Sequence, residues 1–347
     1  MPRKLTAPLA PLLALFYLTL GACDRGDQSN SSSSSGGGAS TASTTQSSGG
    51  AKGSGKSITV GFSQIGAESA WRAAETNSFN AEAPKRGITL KNVDAQGSQE
   101  KQVQTLNSFI TQGVDAIVLA PKTAEGWVPV LKKIKEANIP VILVDRGVNA
   151  PEDLYATLIA SDFVAEGRRA GEWLVKKTNG QCNIAELQGS TGAAPAIDRK
   201  KGFEQALQGQ AGMKIVMSQT GDFTRTGGKQ VMEAFLKSPQ GKQIKAVYAH
   251  NDDMALGAIQ AIEEAGLKPG KDILVLCVDG GKSALEEIAR GRIACAVECS
   301  PRLAPQAFDA VNDVLAGKTL PKKQVVQDRI FDETNAKDVL ARGDYWE

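Results

Sequence analysis

The sequence predicts an α/β protein built from two doubly wound parallel sheets. Three observations carry that expectation. Short runs rich in Val and Ile alternate with longer amphipathic segments from Ser57 onward. Glycines stand where helices should stop, as in Arg86-Gly87, Gln112-Gly113, Asn179-Gly180 and Ala265-Gly266. Polar residues close the apolar runs. Unbroken apolar strands separated by helices indicate parallel sheets covered on both faces.

The strands are expected at Ile58–Gln64, Ile88–Asp94, Ala116–Ala120, Val141–Asp145, Tyr155–Ala160, Asn183–Gln188, Lys214–Gln219, Ala246–His250, Ile273–Asp279, Ile293–Glu298 and Gln324–Ile330. Most are followed by a stretch long enough for one helix. Residues 57–347 are too many for one open sheet, which leaves a (β/α)₈ barrel or two doubly wound domains. The strand ends favour the second. Ligands of open α/β sheets bind beyond the carboxyl ends of strands, and here those ends carry Gln64, Asp145-Arg146, His250-Asn251-Asp252 and Asp279. This polar set suits an uncharged polyol. No GxxxxGK[ST] occurs, and no GxGxxG follows the first strand, so a phosphate cradle is not expected.

The ends of the chain read differently. Residues 1–22 carry Arg3 and Lys4, then the apolar stretch Leu5–Leu20 broken by Pro8 and Pro11. That pattern fits a signal peptide better than a membrane span. It ends Leu20-Gly21-Ala22-Cys23, which resembles a bacterial lipobox with Cys23 as the acylated residue. Two acyl chains suffice for stable membrane anchoring. Residues 27–56 are nearly all Ser, Gly, Thr, Ala and Gln. Such a segment is expected to be a flexible tether with a reach of roughly 30 Å.

Charge and histidine content exclude several functions. The chain has 40 basic and 38 acidic side chains and one histidine. The excess of +2 is supplied by Arg3 and Lys4, so the body is formally neutral and no nucleic-acid footprint is expected. A multi-histidine metal site is impossible. No CxxC spacing occurs, and no cofactor is expected.

Several segments are more distinctive. They include Val60-Gly61-Phe62-Ser63-Gln64, Glu68-Ser69-Ala70-Trp71-Arg72-Ala73-Ala74-Glu75-Thr76-Asn77, Ala196-Ile197-Asp198-Arg199-Lys200-Lys201-Gly202-Phe203, Gly221-Asp222-Phe223-Thr224-Arg225 and Tyr248-Ala249-His250-Asn251-Asp252-Asp253-Met254. From about Ile58 to about Gly317 the chain resembles the periplasmic sugar-binding proteins of the ribose-binding type, and among them the galactofuranose-binding type. The resemblance implies a periplasmic binding protein type I fold, with two lobes joined by a three-crossing hinge near Ser161, Ser300 and Gln327. With the signal peptide at 1–22 and the lipidated tether at 23–56 already read from the residues, it implies one lobe of 57–161 with 300–327, and another of 162–299 with 328–347. It also implies a monomeric receptor that hands a monosaccharide to an ABC permease with its ATPase subunits, from the extracytoplasmic face of a membrane.

The site expected on this basis comprises Glu68, Trp71, Arg72, Asp145, Arg146, Arg199, Phe223, Asn251 and Asp279. The chemistry fits. Sugar hydroxyls both donate and accept. Arg72, Arg146 and Arg199 only donate, through planar forks that straddle adjacent hydroxyls. Glu68, Asp145 and Asp279 accept, and Asn251 does both. Trp71 and Phe223 can cover the C–H face of a ring. Each has a plainer alternative. Arg72 and Arg199 begin helices and can pair with Glu75 or Asp198 on a solvated face, and Trp71 can be core. Asp222 reads as a helix N-cap, His250 as the residue that orients the Asn251 loop, and Trp127 and Trp173 as packing residues; Glu298 lies where the resemblance implies a polar sugar contact at a crossing.

Of the cysteines, Cys182 stands where the galactofuranose-binding type has one end of a disulfide, but no cysteine stands near Ile244 to complete it. Cys277 and Cys295, on consecutive strands, are a candidate pair. Cys299 completes the set. A sensory receptor feeding a chemoreceptor or sensor kinase shares this sequence pattern. A sugar-responsive repressor would need an N-terminal helix-turn-helix. A glycosidase would need a general acid, and Asp145 and Asp279 are each expected beside an arginine that keeps them ionised.

Overall fold

The computed structural model describes residues 57–347. The expected signal peptide, Cys23 and the expected tether lie outside the described residues. The first lobe is built on β1 (Thr59–Gln64), α1 (Ala70–Glu82), β2 (Thr89–Asp94), α2 (Gln99–Gln112), β3 (Ala116–Leu119), α3 (Val128–Glu136), β4 (Val141–Val144) and β5 (Thr157–Ser161). The second is built on α4 (Phe163–Lys177), β6 (Gln181–Gln188), α5 (Ala194–Leu207), β7 (Gly212–Thr220), α6 (Arg225–Lys237), β8 (Ala246–Ala249), α7 (Asp252–Glu264), β9 (Leu274–Asp279), α8 (Lys282–Ala289) and β10 (Cys295–Glu298). The chain then adds α9 (Ala304–Leu315) and β11 (Lys323–Val326) to the first lobe, and β12 (Ile330–Asp332) and α10 (Ala336–Arg342) to the second.

Each sheet has six strands, in the orders β11-β5-β4-β3-β1-β2 and β12-β10-β9-β8-β6-β7. Every pairing is parallel except β10 with β12. The central strands β3, β4 and β8 are buried at every position, as helices on both faces require. The edge strands β2 and β11 are largely exposed and carry Lys91 and Lys323, which discourages pairing with other chains.

The single strand expected at Gln324–Ile330 is two strands in different sheets. Val326 pairs with Ser161 in the first sheet, and Ile330 pairs antiparallel to Val297 in the second. The apolar pattern runs through a passage between sheets, and periodicity alone does not mark where the partner changes. The chain passes between sheets three times, after β5, after β10 and after β11. These passages are tied together: Cys299 Sγ lies 3.5 Å from Ser161 Oγ, and Ser161 Oγ donates to Asp328 Oδ1 at 3.1 Å.

The candidate disulfide is overturned by register. Cys277 lies level with Ala296, and Cys295 lies level with Leu276. The two cysteines are therefore one residue out of step, and their side chains point to opposite faces of the sheet. All four described cysteines are free and buried. They act as small apolar residues.

Helices α4 and α5 cross with no room for side chains at the contact. A Cβ on Gly167 would meet the Arg199 carbonyl oxygen at 2.0 Å, and one on Gly202 would meet the Val164 carbonyl oxygen at 2.0 Å. This approach sets Glu166 of α4 against Arg199 of α5. Gly167→Ala should lower stability by about 1–3 kcal/mol through overpacking; a chemical denaturation curve matching the parent would refute the close crossing. Alkylation of denatured, unreduced protein should label Cys182, Cys277, Cys295 and Cys299, each identified by peptide mass.

Candidate functional site

The carboxyl ends of the two sheets face one cavity. Glu68 and Ser69 precede α1, whose first turn holds Trp71 and Arg72. Asp145 and Arg146 follow β4. The second lobe contributes Pro195 and Arg199 from α5, Phe223 after β7, Asn251 after β8 and Asp279 at the end of β9. All nine residues singled out in the sequence line this space, joined by Ser69 and Pro195. The space among them is small, with about 300 Å³ of empty volume, part of it open to solvent. Wider surface hollows of about 870 and 780 Å³ gather no comparable set of buried charges; Lys135 and Asp153 in the first are exposed.

Each arginine is held by its own lobe. Arg72 donates to Asp145 Oδ2 at 2.6 Å and Glu75 Oε2 at 2.5 Å. Burial opposes its charge, but Asp145, Glu75 and Glu68 outweigh burial and raise its pKa. The expected Arg72–Glu75 pair therefore exists, but it is buried rather than on a solvated face. Arg199 donates to Glu166 Oε2 at 2.7 Å and the His250 carbonyl at 2.6 Å, with Asp279 Oδ1 at 3.4 Å. Asp198, the alternative partner from sequence, is not among these. Arg146 is the least engaged. It donates to the Lys122 carbonyl at 3.2 Å and lies 3.3 Å from Asp145 and 3.6 Å from Glu68. Burial and the like charge of Arg72 lower its pKa.

Glu68 Oε2, Arg72 Nε and Arg146 Nε are buried with no hydrogen-bond partner in the protein. Buried polar atoms are rarely left so, because each costs about 1–3 kcal/mol. Asp279 departs from expectation. Burial pushes its carboxyl well above the usual carboxylate range, against the pull of Arg199, because Arg199 places its short bonds elsewhere.

Three lining residues have left-handed or related backbone: Asp145 (φ 61°), Phe223 (φ 60°) and Asp279 (φ 114°). Such residues persist where the surroundings hold them. Phe223 shows how. Its ring occupies the space a Cβ on Gly189 would need, which would fall 1.9 Å from Cζ. The ring faces the Arg146 guanidinium of the other lobe, 5.6 Å from its centroid.

Two other expectations are corrected, at Asp222 and Glu298. Asp222 does not cap α6; Thr224 does, with Oγ1 accepting from the Gly227 N–H at 2.9 Å. Asn251 caps α7 through Oδ1, accepting from the Met254 N–H, and donates to the Phe223 carbonyl, each at 3.0 Å. Only part of its donor and acceptor capacity faces the cavity. Glu298 turns away, to Arg329 at 2.6 and 2.7 Å. His250 is fully buried. Its Nδ1 accepts from the Gly189 N–H at 3.3 Å, so Nε2 carries the proton toward Glu186, 3.2 Å away. Burial lowers its pKa despite Glu186. Trp71 serves both readings: it packs in the core and lines the cavity, donating to the Cys299 carbonyl at 2.7 Å. Trp127 is fully buried, and Trp173 donates to Asp332. Sequence reasoning missed the supporting Glu166, which no local motif marks, and Ser69, whose position as N-cap of α1 was a usable signal.

Among the described residues, no helix is long and apolar enough to cross a membrane, and no group of His, Cys, Asp and Glu is placed to hold a metal ion.

The family model described as the periplasmic binding protein domain matches residues 60–319. The chain is 50% identical to the galactofuranose-binding protein YtfQ of Escherichia coli K12 over 289 residues, 82% of this chain and 91% of that protein. A solved binding protein of the arabinose ABC transporter from Shewanella sp. ANA-3, bound to α- and β-L-arabinofuranose, superposes with a TM-score of 0.81 at 50% identity, covering 82% of this chain and 95% of that one. A Mycobacterium smegmatis protein in complex with β-D-fucofuranose gives a TM-score of 0.81 at 49% identity, covering 83% and 95%. Proteins of this kind bind and release their ligand without covalent chemistry, on the extracytoplasmic side. The chain belongs to the type I periplasmic binding proteins, the sugar-binding components of ABC transporters, in the group that includes the galactofuranose-binding proteins.

Proposed function

We propose that this protein binds a furanose-form monosaccharide, galactofuranose or a close analogue, in the cavity between its lobes and delivers it to an ABC permease and its ATPase. The observation that carries this reading is the set of three buried arginines from both lobes, lined with Glu68, Asp145 and Asp279, in which Glu68 Oε2, Arg72 Nε and Arg146 Nε have no hydrogen-bond partner in the protein. Hydroxyls satisfy such atoms without adding charge. The furanose preference is supported by the relatives with arabinofuranose and fucofuranose bound.

On this reading the nine lining residues singled out in the sequence are the sugar contacts. Phe223 and Trp71 supply apolar cover, and the Arg146 fork spans neighbouring hydroxyls. The lobes are residues 57–161 with 300–327, and 162–299 with 328–347. Arg72, Asp145, Arg146 and Arg199 are almost wholly buried, so a sugar reaches them only when the lobes part about the three passages. The protein works as a monomer, anchored through lipidated Cys23.

A thermal-shift panel tests the sugar class. D-galactose, L-arabinose and D-fucose, which populate furanose rings in water, should raise the melting temperature more than D-glucose, which scarcely does. Stabilisation by glucose alone would reject the furanose reading. Arg146→Ala should fold and lose roughly ten- to a hundredfold in affinity; calorimetry with undiminished affinity would remove Arg146 from the contacts. Cys23→Ser should move the protein from the membrane to the soluble fraction, and continued retention would count against acylation.

A further inference from the structure

Helix α1 starts at the cleft, and its first turn carries Trp71 and Arg72. A helix leaves its first four N–H groups without partners inside the helix. Ser69 Oγ takes the Arg72 N–H at 3.2 Å. The Ala70 N–H is taken from the opposite lobe: it donates to Asp253 Oδ2 at 2.8 Å. Asp253 lies in the first turn of α7. Its other oxygen stands 3.2 Å from Arg225 Nη2, so its aim is fixed from its own side. It does not line the cavity. One backbone bond spans the lobes elsewhere, from the Ala124 N–H to the Gly192 carbonyl at 3.1 Å.

We propose that Asp253 is a closure latch, a positioning residue that holds the N-terminus of α1, and with it Trp71 and Arg72, against the second lobe. The inference rests on the sugar-cleft reading and adds a residue outside the sugar contacts. The bond is charge-assisted and meets the positive end of a helix. When the lobes part, both partners return to water, so the bond favours the closed form alone. A contact of that kind raises the apparent affinity of every ligand by the same factor. It acts chiefly on release.

The test compares Asp253→Ala and Asp253→Asn with the parent, using D-galactose and L-arabinose as probes in calorimetry and stopped-flow tryptophan fluorescence. Asp253→Ala should weaken both sugars by the same factor, roughly ten- to a hundredfold. The loss should appear as faster release, with the ligand-free melting temperature unchanged. Asp253→Asn keeps an acceptor without the charge and should fall between. Unchanged release overturns the latch. So does a loss that differs between the sugars, which would place Asp253 on the ligand, or a drop in ligand-free stability without faster release. A parent that binds neither sugar counts against the sugar reading alone. The latch is then read from spin labels at Lys132→Cys and Lys242→Cys, exposed positions on opposite lobes: Asp253→Ala should shift their distance distribution toward longer separations, and superimposable distributions overturn it.

Discussion

Burying charge costs several kcal/mol per ion unless each charge is matched at close range, and this cleft buries three arginines. Arg72 is matched by Glu75 and Asp145, both of the first lobe, and Arg199 by Glu166 of the second, with Asp279 of the same lobe farther off at 3.4 Å. Arg146 leans on Asp145 and Glu68, again within its own lobe. No arginine of the cavity depends on a carboxylate across the cleft for its charge balance. The lobes can therefore separate without stranding a buried ion. What spans the lobes is milder: a helix N–H on Asp253, one backbone bond, the Trp71 indole N–H on the Cys299 carbonyl, Arg302 on the Tyr345 carbonyl, and a guanidinium over the Phe223 ring.

Supporting structure exists to hold those pairs in place. The Gly167 and Gly202 contact brings α4 and α5 close enough for Glu166 to reach Arg199. Gly189 leaves space for a Phe223 ring held at positive φ. Asp145 and Asp279 both turn through positive φ at strand ends, which aims their carboxylates into the crevice rather than along the sheet. Asp visits the left-handed region more readily than most residues, as at Asp145, and a residue held in such a conformation costs on the order of 1–3 kcal/mol.

The three passages between the sheets meet at Ser161, Cys299 and Asp328. Burial, with the nearby charge of Glu166, pushes the Asp328 carboxyl up to about 7, against the hydrogen bond from Ser161. Arg169 reaches the Asp328 carbonyl at 2.9 Å, and Arg329 grips Glu298 with two nitrogens. The short connections between the lobes are thereby tied to one another.

Strand and helix content was legible in the sequence because burial on both faces makes each central strand an unbroken apolar run, as in Ile117-Val118-Leu119 and Val141-Ile142-Leu143-Val144. The cavity lining was legible too, because parallel topology forces strand ends such as Asp145 and Asp279 onto one side, and because the segments around Arg72 and Arg199 resemble a known pattern. Pairing was not. Which carboxylate holds Arg199, whether Cys277 meets Cys295, and where the final apolar run changes sheets all depend on register and helix approach, quantities set between distant segments. The sequence by itself determined the elements, their order and the chemistry at their ends. Only the tertiary structure decided the partners, because a shift of one residue in a strand, or a few ångströms between helices, changes which side chains meet without changing the local pattern that each segment displays.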